Sequence, residues 1–255
     1  MDDYGSHPGG NPEDWMDKVV REYEYQQRLV TEQKEESLYN IVRIIDYFRY
    51  LYGIRAPRIL DIGCGPGTDT TLAKYILKGI PDSYLTGVDS SEQMIEVANS
   101  QLTGEYGQRF LGYVSDFNNP NFWLPEIDRQ YDFLTSFAAL HYLSDNRMFS
   151  FLKEIYYHLE NNGVFIVSMG NRAISPRIAE MENQFRIEFT YDQLDLDTRV
   201  SDFKKFKASF EETDRKADIY WHSYREWLEL IQDAGFREVE VVSQLWIRTT
   251  IVALK

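Results

Sequence analysis

The chain has 255 residues, and its 27 Lys and Arg against 41 Asp and Glu give a formal net charge of −14. That length allows one large domain with a hydrophobic core, and 43% hydrophobic with 15% aromatic residues excludes a disordered or fibrous chain. The excess of acidic residues argues against nucleic acid and against a membrane surface as partners, because both attract clustered Lys and Arg.

The first 56 residues (1–56) are predicted to form a flexible tail and an N-terminal helical cap. Residues 1–12 lack periodicity, whereas apolar residues recur at helical spacing around residues 15–23 and again around residues 38–48. Gly53 then favours the end of the second helix. We expect the aromatic side chains of this part, Tyr39 among them, to pack in a core rather than to form a substrate cage.

Short apolar runs alternate with helical segments between residues 57 and 170. The runs lie at 58–62, 84–88, 109–114, 131–136 and 163–169. Strands that alternate with helices in this way favour right-handed crossovers and a mostly parallel sheet that is covered on both faces.

Residues 171–220 interrupt this alternation. We predict a substrate lid here, because so long a connection in a compact domain is more often a lid or a binding element than an idle loop. Phe203, Phe206 and Phe210 are interspersed with lysines, which fits either an amphipathic lid helix or an ordinary packed helix with a charged outer face.

The core pattern resumes in residues 221–255. Apolar spacing predicts a helix at about residues 223–235, and two strand-like segments follow it closely enough to be antiparallel.

Three glycines, Gly63, Gly65 and Gly67, lie between the first predicted strand and the following helix. Glycine lets the backbone turn sharply and lets a ligand come close, as in nucleotide-binding turns. The spacing is G-x-G-x-G, which differs from the dinucleotide fingerprint and from the phosphate-binding loop. The turn therefore indicates a nucleotide-like ligand but does not favour phosphate binding.

Carboxylates follow the next two predicted strands. Asp89 ends the second strand, where it can accept hydrogen bonds from both hydroxyls of a ribose. Asp116 and Phe117 follow the third strand, where they can hydrogen-bond and pack an adenine. Asp116 can equally be the N-cap of a helix. With the glycine turn, these residues predict an adenosine site.

These residues, together with Asp61 and the segment from Phe137 to Leu143, resemble class I S-adenosylmethionine-dependent methyltransferases. The resemblance covers about residues 57–170 and 221–255. It implies an α/β, Rossmann-like fold: a seven-stranded, mostly parallel sheet with an antiparallel last strand, here with an N-terminal helical cap and an inserted lid.

The resemblance also implies a cofactor, S-adenosyl-L-methionine. The glycines are expected around its methionine portion, Asp89 at the ribose, and Asp116 with Phe117 at the adenine. The expected cofactor-binding residues are Asp61, Gly63, Cys64, Gly65, Gly67, Asp89, Ser90, Met94, Asp116, Phe117 and Phe137.

The function expected from this resemblance is methyl transfer to an O or N atom of a small molecule, a metabolite or natural product. Such a transfer depends mainly on alignment and on exclusion of water, because the leaving group is a neutral thioether. His141 and Tyr142 follow the fourth strand and are the candidate catalytic residues. His141 can take a proton from the acceptor, or it can orient substrate or cap a helix.

Two other functions stay open. The chain end, from Ala234 to Phe236 and from Val252 to Lys255, faintly resembles enzymes that make carboxy-S-adenosylmethionine for tRNA modification. The second alternative is a methyltransferase-like module that binds the nucleoside without turnover, although the intact glycine turn argues against it.

The single cysteine, Cys64, cannot form an internal disulfide, and no Cys/His spacing is typical of a zinc site. An apolar run of about 18 residues, as a membrane span requires, is also absent from the sequence. We therefore expect a cytoplasmic protein that binds no metal and no membrane.

Overall fold

A computed structural model describes residues 34–194, 203–216, 220, 222–245 and 248–255. Its helices are α1 (Lys34–Leu51), α2 (Leu72–Gly79), α3 (Glu92–Tyr106), α4 (Asp145–Tyr157), α5 (Pro176–Gln193), α6 (Phe203–Lys216) and α7 (Tyr224–Asp233). Its strands are β1 (Arg58–Ile62), β2 (Tyr84–Asp89), β3 (Phe110–Val114), β4 (Tyr131–Phe137), β5 (Leu159–Gly170), β6 (Glu238–Leu245) and β7 (Arg248–Leu254).

The strands form one seven-stranded sheet in the order β3-β2-β1-β4-β5-β7-β6. The first five strands are parallel, and β7 runs antiparallel to both β5 and β6. This confirms the expected Rossmann-like architecture. The carboxyl ends of β1 to β5 therefore lie at one edge of the sheet, together with the start of β7, and we call this the carboxyl edge.

Apolar side chains cover both faces of the sheet, which explains why the strands read as nearly continuous hydrophobic runs. On one face, α1, α2 and α3 contribute to a buried cluster that includes Ile41, Ile76 and Val252. On the other face, α4 and α7 contribute to a second cluster that includes Phe151 and Trp227. The sheet is thus held between two helical layers, and its carboxyl edge is left for ligands.

Several boundaries differ from the sequence prediction. Strand β5 begins at Leu159, before the predicted start, and passes through Asn162 at a φ of +67°. Tyr39 is 59% exposed, so its predicted core packing is wrong: it lies on the outer face of α1, whose inner face carries Leu38 and Ile41. The helix predicted around residues 15–23 lies outside the described residues.

The segment between β5 and α7 contains two helices that pack on each other. The Tyr191 ring of α5 lies 5.1 Å from the Phe203 ring and 5.2 Å from the Phe206 ring of α6. The Lys207 Nζ donates to Gln184 Oε1 at 2.7 Å. The phenylalanine face of α6 therefore packs against α5, as the packed-helix interpretation expects. Among the described helices, none combines the length and the apolar composition needed to cross a bilayer.

Candidate functional site

The turn after β1 depends on glycine at each of its three predicted positions. Gly63, Gly65 and Gly67 have φ angles of +76°, +64° and +68°, a left-handed region that residues with a Cβ adopt only with strain. A Cβ on Gly63 would lie 2.2 Å from the Ala139 Cβ, and one on Gly67 would lie 2.7 Å from Leu102 Cδ1. The turn therefore lies close against the loop after β4 and against α3.

Asp89 connects this turn to the start of α3. Its Oδ2 accepts the Gly65 N–H at 3.0 Å, and its Oδ1 accepts the Ser91 N–H at 3.0 Å. Burial raises the pKa of Asp89, and these backbone N–H groups oppose that rise. A carboxylate offers about four lone-pair sites, so Asp89 keeps the capacity to accept a further hydrogen bond from a ligand hydroxyl.

Asp61, at the end of β1, is a second buried carboxyl group at the same turn. Its Oδ1 accepts the Thr135 hydroxyl at 2.9 Å, whereas its buried Oδ2 has no hydrogen-bond partner among the described residues. Burial raises the pKa of Asp61 to about 7, and the negative charge of Asp89 adds to the rise. A buried, unsatisfied carboxylate oxygen is costly, and a cationic ligand group would relieve that cost.

Cys64 lies within the glycine turn, and its side chain is buried. Burial raises the pKa of its thiol, and the charges of Asp89 and Asp61 raise it further. A thiol in this environment stays protonated and is a poor nucleophile, so it fits beside a ligand without taking part in chemistry.

The loop after β3 is held beside β2 by the Ser115 N–H, which donates to the Asp89 carbonyl at 3.0 Å. Exposed Asp116 accepts the Asn118 N–H on its Oδ1 at 2.8 Å, the pattern of an Asx turn. The chain continues from there through turns to β4, so the alternative that Asp116 caps a helix is wrong. The Phe117 ring packs against the Phe151 ring at 6.1 Å between centroids.

A strained residue redirects the chain after β4. Phe137 ends that strand in the core, and Ala138 adopts a φ of +54°, which costs a non-glycine residue roughly 1 kcal/mol or more. The Ala138 N–H is held by the Ser168 carbonyl at 2.7 Å. This bend brings Ala139 against Gly63, so the loop that carries His141 lies beside the glycine turn.

His141 is neutral in this setting. Burial lowers the pKa of its imidazole to about 4, and the positive charge of Arg248 contributes to the drop. Its carbonyl accepts the Tyr220 N–H at 2.7 Å, and its ring lies 4.3 Å from the 43%-exposed Tyr142 ring. A neutral imidazole can accept a proton or a hydrogen bond at pH 7.

Asn118 joins the loops after β3 and β4, a role that sequence reasoning missed. Its Nδ2 donates to the Tyr142 carbonyl at 3.0 Å, and its Oδ1 accepts the Ser144 N–H at 2.9 Å. Its partners are 24 and 26 residues away in the chain, so no local pattern indicates the contact. Ala138 likewise carries no sequence signal, because alanine rarely adopts a positive φ.

The remaining predicted residues lie at the start of α3. Ser90 is exposed directly after Asp89, and Met94 lies in the first turn, where its N–H donates to the Ser91 hydroxyl at 3.3 Å. All the candidate residues thus lie along the carboxyl edge of four neighbouring strands, β3, β2, β1 and β4. This is where open α/β sheets bind their ligands.

Comparison with known proteins identifies a family and several relatives that this chain resembles. The methyltransferase domain family matches residues 59–163. Carboxy-S-adenosyl-L-methionine synthase from Campylobacter fetus subsp. fetus (strain 82-40) is 26% identical over 207 residues, which cover 78% of this chain and 77% of the synthase. A trans-aconitate 2-methyltransferase from Methylobacterium radiotolerans is 32% identical over 124 residues, covering 48% of this chain and 42% of that protein.

Solved structures share the fold. Magnesium protoporphyrin IX methyltransferase from Synechocystis PCC 6803, solved with bound S-adenosylhomocysteine, superposes with a TM-score of 0.56 at 11% identity. The superposition covers 96% of this chain and 100% of that protein. Two other solved methyltransferases are longer, and this chain spans 56% and 54% of them.

Proposed function

Because this chain belongs to the class I S-adenosylmethionine-dependent methyltransferases, we propose that it transfers the methyl group to an O or N atom of a small molecule. The observation that carries the proposal is the pair of buried carboxyl groups, Asp61 and Asp89, on either side of a left-handed glycine turn. The trans-aconitate methyltransferase among the relatives supports a small-molecule acceptor.

The two carboxyl groups have complementary tasks in this proposal. Asp89 accepts the ribose hydroxyls on the lone pairs that Gly65 and Ser91 leave open. Asp61 turns its unsatisfied Oδ2 toward a cationic group of the methionine portion, for which the glycines leave room. Neither group requires a phosphate, which agrees with the G-x-G-x-G spacing.

The loops after β3 and β4 complete the site. Asp116 and Phe117 flank the adenine, and Ser90 and Met94 line the cofactor from the start of α3. When bound, S-adenosyl-L-methionine supplies an activated methyl group on a sulfonium. Transfer of that methyl group leaves a neutral thioether. The protein therefore mainly has to align the acceptor and exclude water.

His141 and Tyr142 act on the acceptor side in this proposal. The neutral imidazole can accept a hydrogen bond from the acceptor hydroxyl or amine, because the low pKa keeps a ring nitrogen unprotonated at pH 7. The same low pKa makes the imidazole a weak base, so it receives the acceptor's proton only if the bound substrate stabilises the imidazolium. Tyr142 is exposed next to it and can orient the acceptor. The helices α5 and α6, in residues 171–220, serve as the lid that closes over this side.

Calorimetric titration with S-adenosyl-L-methionine tests the proposal. We expect wild-type protein to bind, and Asp89→Ala to weaken binding by roughly tenfold to a hundredfold, because hydrogen bonds to a charged acceptor are lost. Asp82→Ala removes an exposed carboxylate from the loop before β2, away from the carboxyl edge, and should leave binding unchanged. Absence of binding, or equal binding by the two variants, would refute the site.

Turnover is tested with a screen of phenols, amines and carboxylates in which S-adenosylhomocysteine is the detected product. Methylation of any of them supports the proposed class of acceptor. If S-adenosyl-L-methionine binds tightly and no acceptor is turned over, the chain is better described as a binding module.

A second candidate function is synthesis of carboxy-S-adenosylmethionine. The observation that favours it is the extent of the match to the Campylobacter synthase, which covers more than three quarters of both chains. Mass spectrometry of the ligand that stays bound through purification distinguishes the two functions. A carboxylated adduct favours the synthase, whereas S-adenosyl-L-methionine or S-adenosylhomocysteine favours methyl transfer.

A further inference from the structure

Arg248 is a partly buried residue whose guanidinium Nη1 is fully buried, and the proposed cofactor site assigns it no role. It opens β7 at the carboxyl edge, where it pairs in register with Gly170 at the end of β5. Its Nη1 is buried and has no hydrogen-bond partner among the described residues, and no carboxylate of the described residues forms an ion pair with it. A buried guanidinium without an anion is unfavourable, so this arrangement is typical of a site that receives one.

The position of the guanidinium connects it to the acceptor side. Its Cζ lies 4.6 Å from the centroid of the Phe137 ring, a cation–π contact with the end of β4. Strand β4 is in turn the neighbour of β1, the strand that leads into the glycine turn. The charge also acts on His141, whose imidazole it helps to keep neutral.

We propose that Arg248 anchors the methyl acceptor and that the acceptor carries a single carboxylate. This inference rests on the proposed methyl transfer, and it names the class of acceptor for that same site. The planar guanidinium fork matches a carboxylate with two parallel hydrogen bonds, and the Phe137 ring holds its plane in place.

The charge balance selects a carboxylate over a phosphate. His141 is neutral at pH 7, so Arg248 and His141 together supply one unit of positive charge. One unit balances a monoanionic carboxylate, whereas a phosphate monoester carries close to two negative charges at that pH. The carboxylate on Arg248 then directs the acceptor nucleophile toward His141.

The experiment uses the full chain saturated with S-adenosylhomocysteine and two matched probe pairs, benzoate with benzamide and acetate with acetamide. Ligand-observed NMR gives the Kd of each probe. In the wild type we expect at least one acid to bind roughly tenfold or more tightly than its amide, because only the acid forms charge-assisted hydrogen bonds. Inorganic phosphate is a third probe and should bind more weakly than that acid.

Three variants assign the preference to Arg248. Arg248→Gln should reduce the acid-to-amide ratio to about one. Arg248→Lys keeps the charge but loses the fork, so the ratio should fall and stay above one, and this variant remains informative if the glutamine variant does not fold. Arg237→Gln removes an exposed arginine near the opposite edge of the sheet, and the ratio should not change.

Several results would overturn the inference: equal binding of acids and amides, no measurable binding of either acid, a preference that survives in Arg248→Gln, or tighter binding of phosphate. Weaker binding of S-adenosylhomocysteine by Arg248→Gln would also overturn it, since Arg248 would then hold the cofactor. Failure of wild-type protein to bind S-adenosylhomocysteine is a separate result and refutes the proposed function itself.

Discussion

At the scale of single residues, the site depends on groups whose ionisation differs from that of the free side chains. Asp61 and His141 are both shifted toward their neutral forms, the acid by a raised pKa of about 7 and the imidazole by a lowered pKa of about 4. Burial is the main cause in both cases. At pH 7, Asp61 is therefore only partly ionised and His141 is neutral.

Asp61 makes the stability of the protein depend on pH. A carboxyl group whose pKa is raised by folding contributes stability that is complete below its unfolded pKa of 3.8 and is lost as the pH rises through about 7. Asp61→Asn keeps an acceptor for the Thr135 hydroxyl and cannot ionise.

We therefore expect Asp61→Asn to be more stable than the wild type by about 4 kcal/mol near pH 8, and to come within about 1 kcal/mol of it near pH 4. Urea unfolding at both pH values measures the difference. The same variant should bind S-adenosyl-L-methionine at least tenfold more weakly if Asp61 pairs with a cationic group. Equal stability of the two proteins near pH 8 would contradict the raised pKa.

At the scale of elements, the glycine turn and the loop after β4 fit together as a pair. Sequence reasoning located the turn correctly, because a G-x-G-x-G run between a buried strand and a helix is a local pattern. It did not find the partner surface, in which the strained Ala138 brings Ala139 against Gly63. That contact depends on the order of β1 and β4 in the sheet, which a local pattern does not contain.

Gly63→Ala tests this fit. The added Cβ would lie 2.2 Å from the Ala139 Cβ at a φ of +76°, so it must displace the loop that carries His141. We expect a loss of about 2–3 kcal/mol of unfolding free energy and loss of cofactor binding. Thermal unfolding with and without S-adenosylhomocysteine measures both effects.

Gly104→Ala is the matched control for this substitution. Gly104 lies in α3 with open space where the Cβ would be, so alanine should leave binding unchanged and stabilise the helix by up to about 1 kcal/mol. If both glycine variants behave alike, the close approach of the turn to the loop after β4 is not required.

At the scale of the whole molecule, one sheet carries two hydrophobic clusters on its opposite faces. The buried strands contribute side chains to both, so the two helical layers should unfold together. Trp227 of α7 is fully buried and fills the cluster that covers β6 and β7.

Trp227→Ala should remove about 3–5 kcal/mol of unfolding free energy, because a large cavity remains in that cluster. We expect one cooperative urea transition, followed equally by circular dichroism and by tryptophan fluorescence, with cofactor affinity unchanged in the protein that stays folded. Phe149→Ala, at a side chain that is 42% exposed on α4, should cost little. Two separate transitions would show that the helical layers are independent.

The sequence by itself determined the sheet architecture and the positions of the residues that we propose for the cofactor site. The alternation of strands and helices, the glycine turn and the carboxylates at strand ends are local patterns, and local patterns suffice because each parallel strand delivers its last residues to the same edge. They gave the sheet, the family resemblance and the candidate positions of Asp61, Asp89 and Asp116.

Only the tertiary structure provides the contacts from which we propose the acceptor half. In the sequence, Arg248 is one polar residue at the start of an apolar strand. Its position at the carboxyl edge follows only because β7 runs antiparallel beside β5. Asn118, Ala138 and Arg248 act through partners that are distant in the chain. Such contacts depend on strand order and loop geometry, which the packing of the whole sheet settles and which leave no periodic signal in the residues themselves.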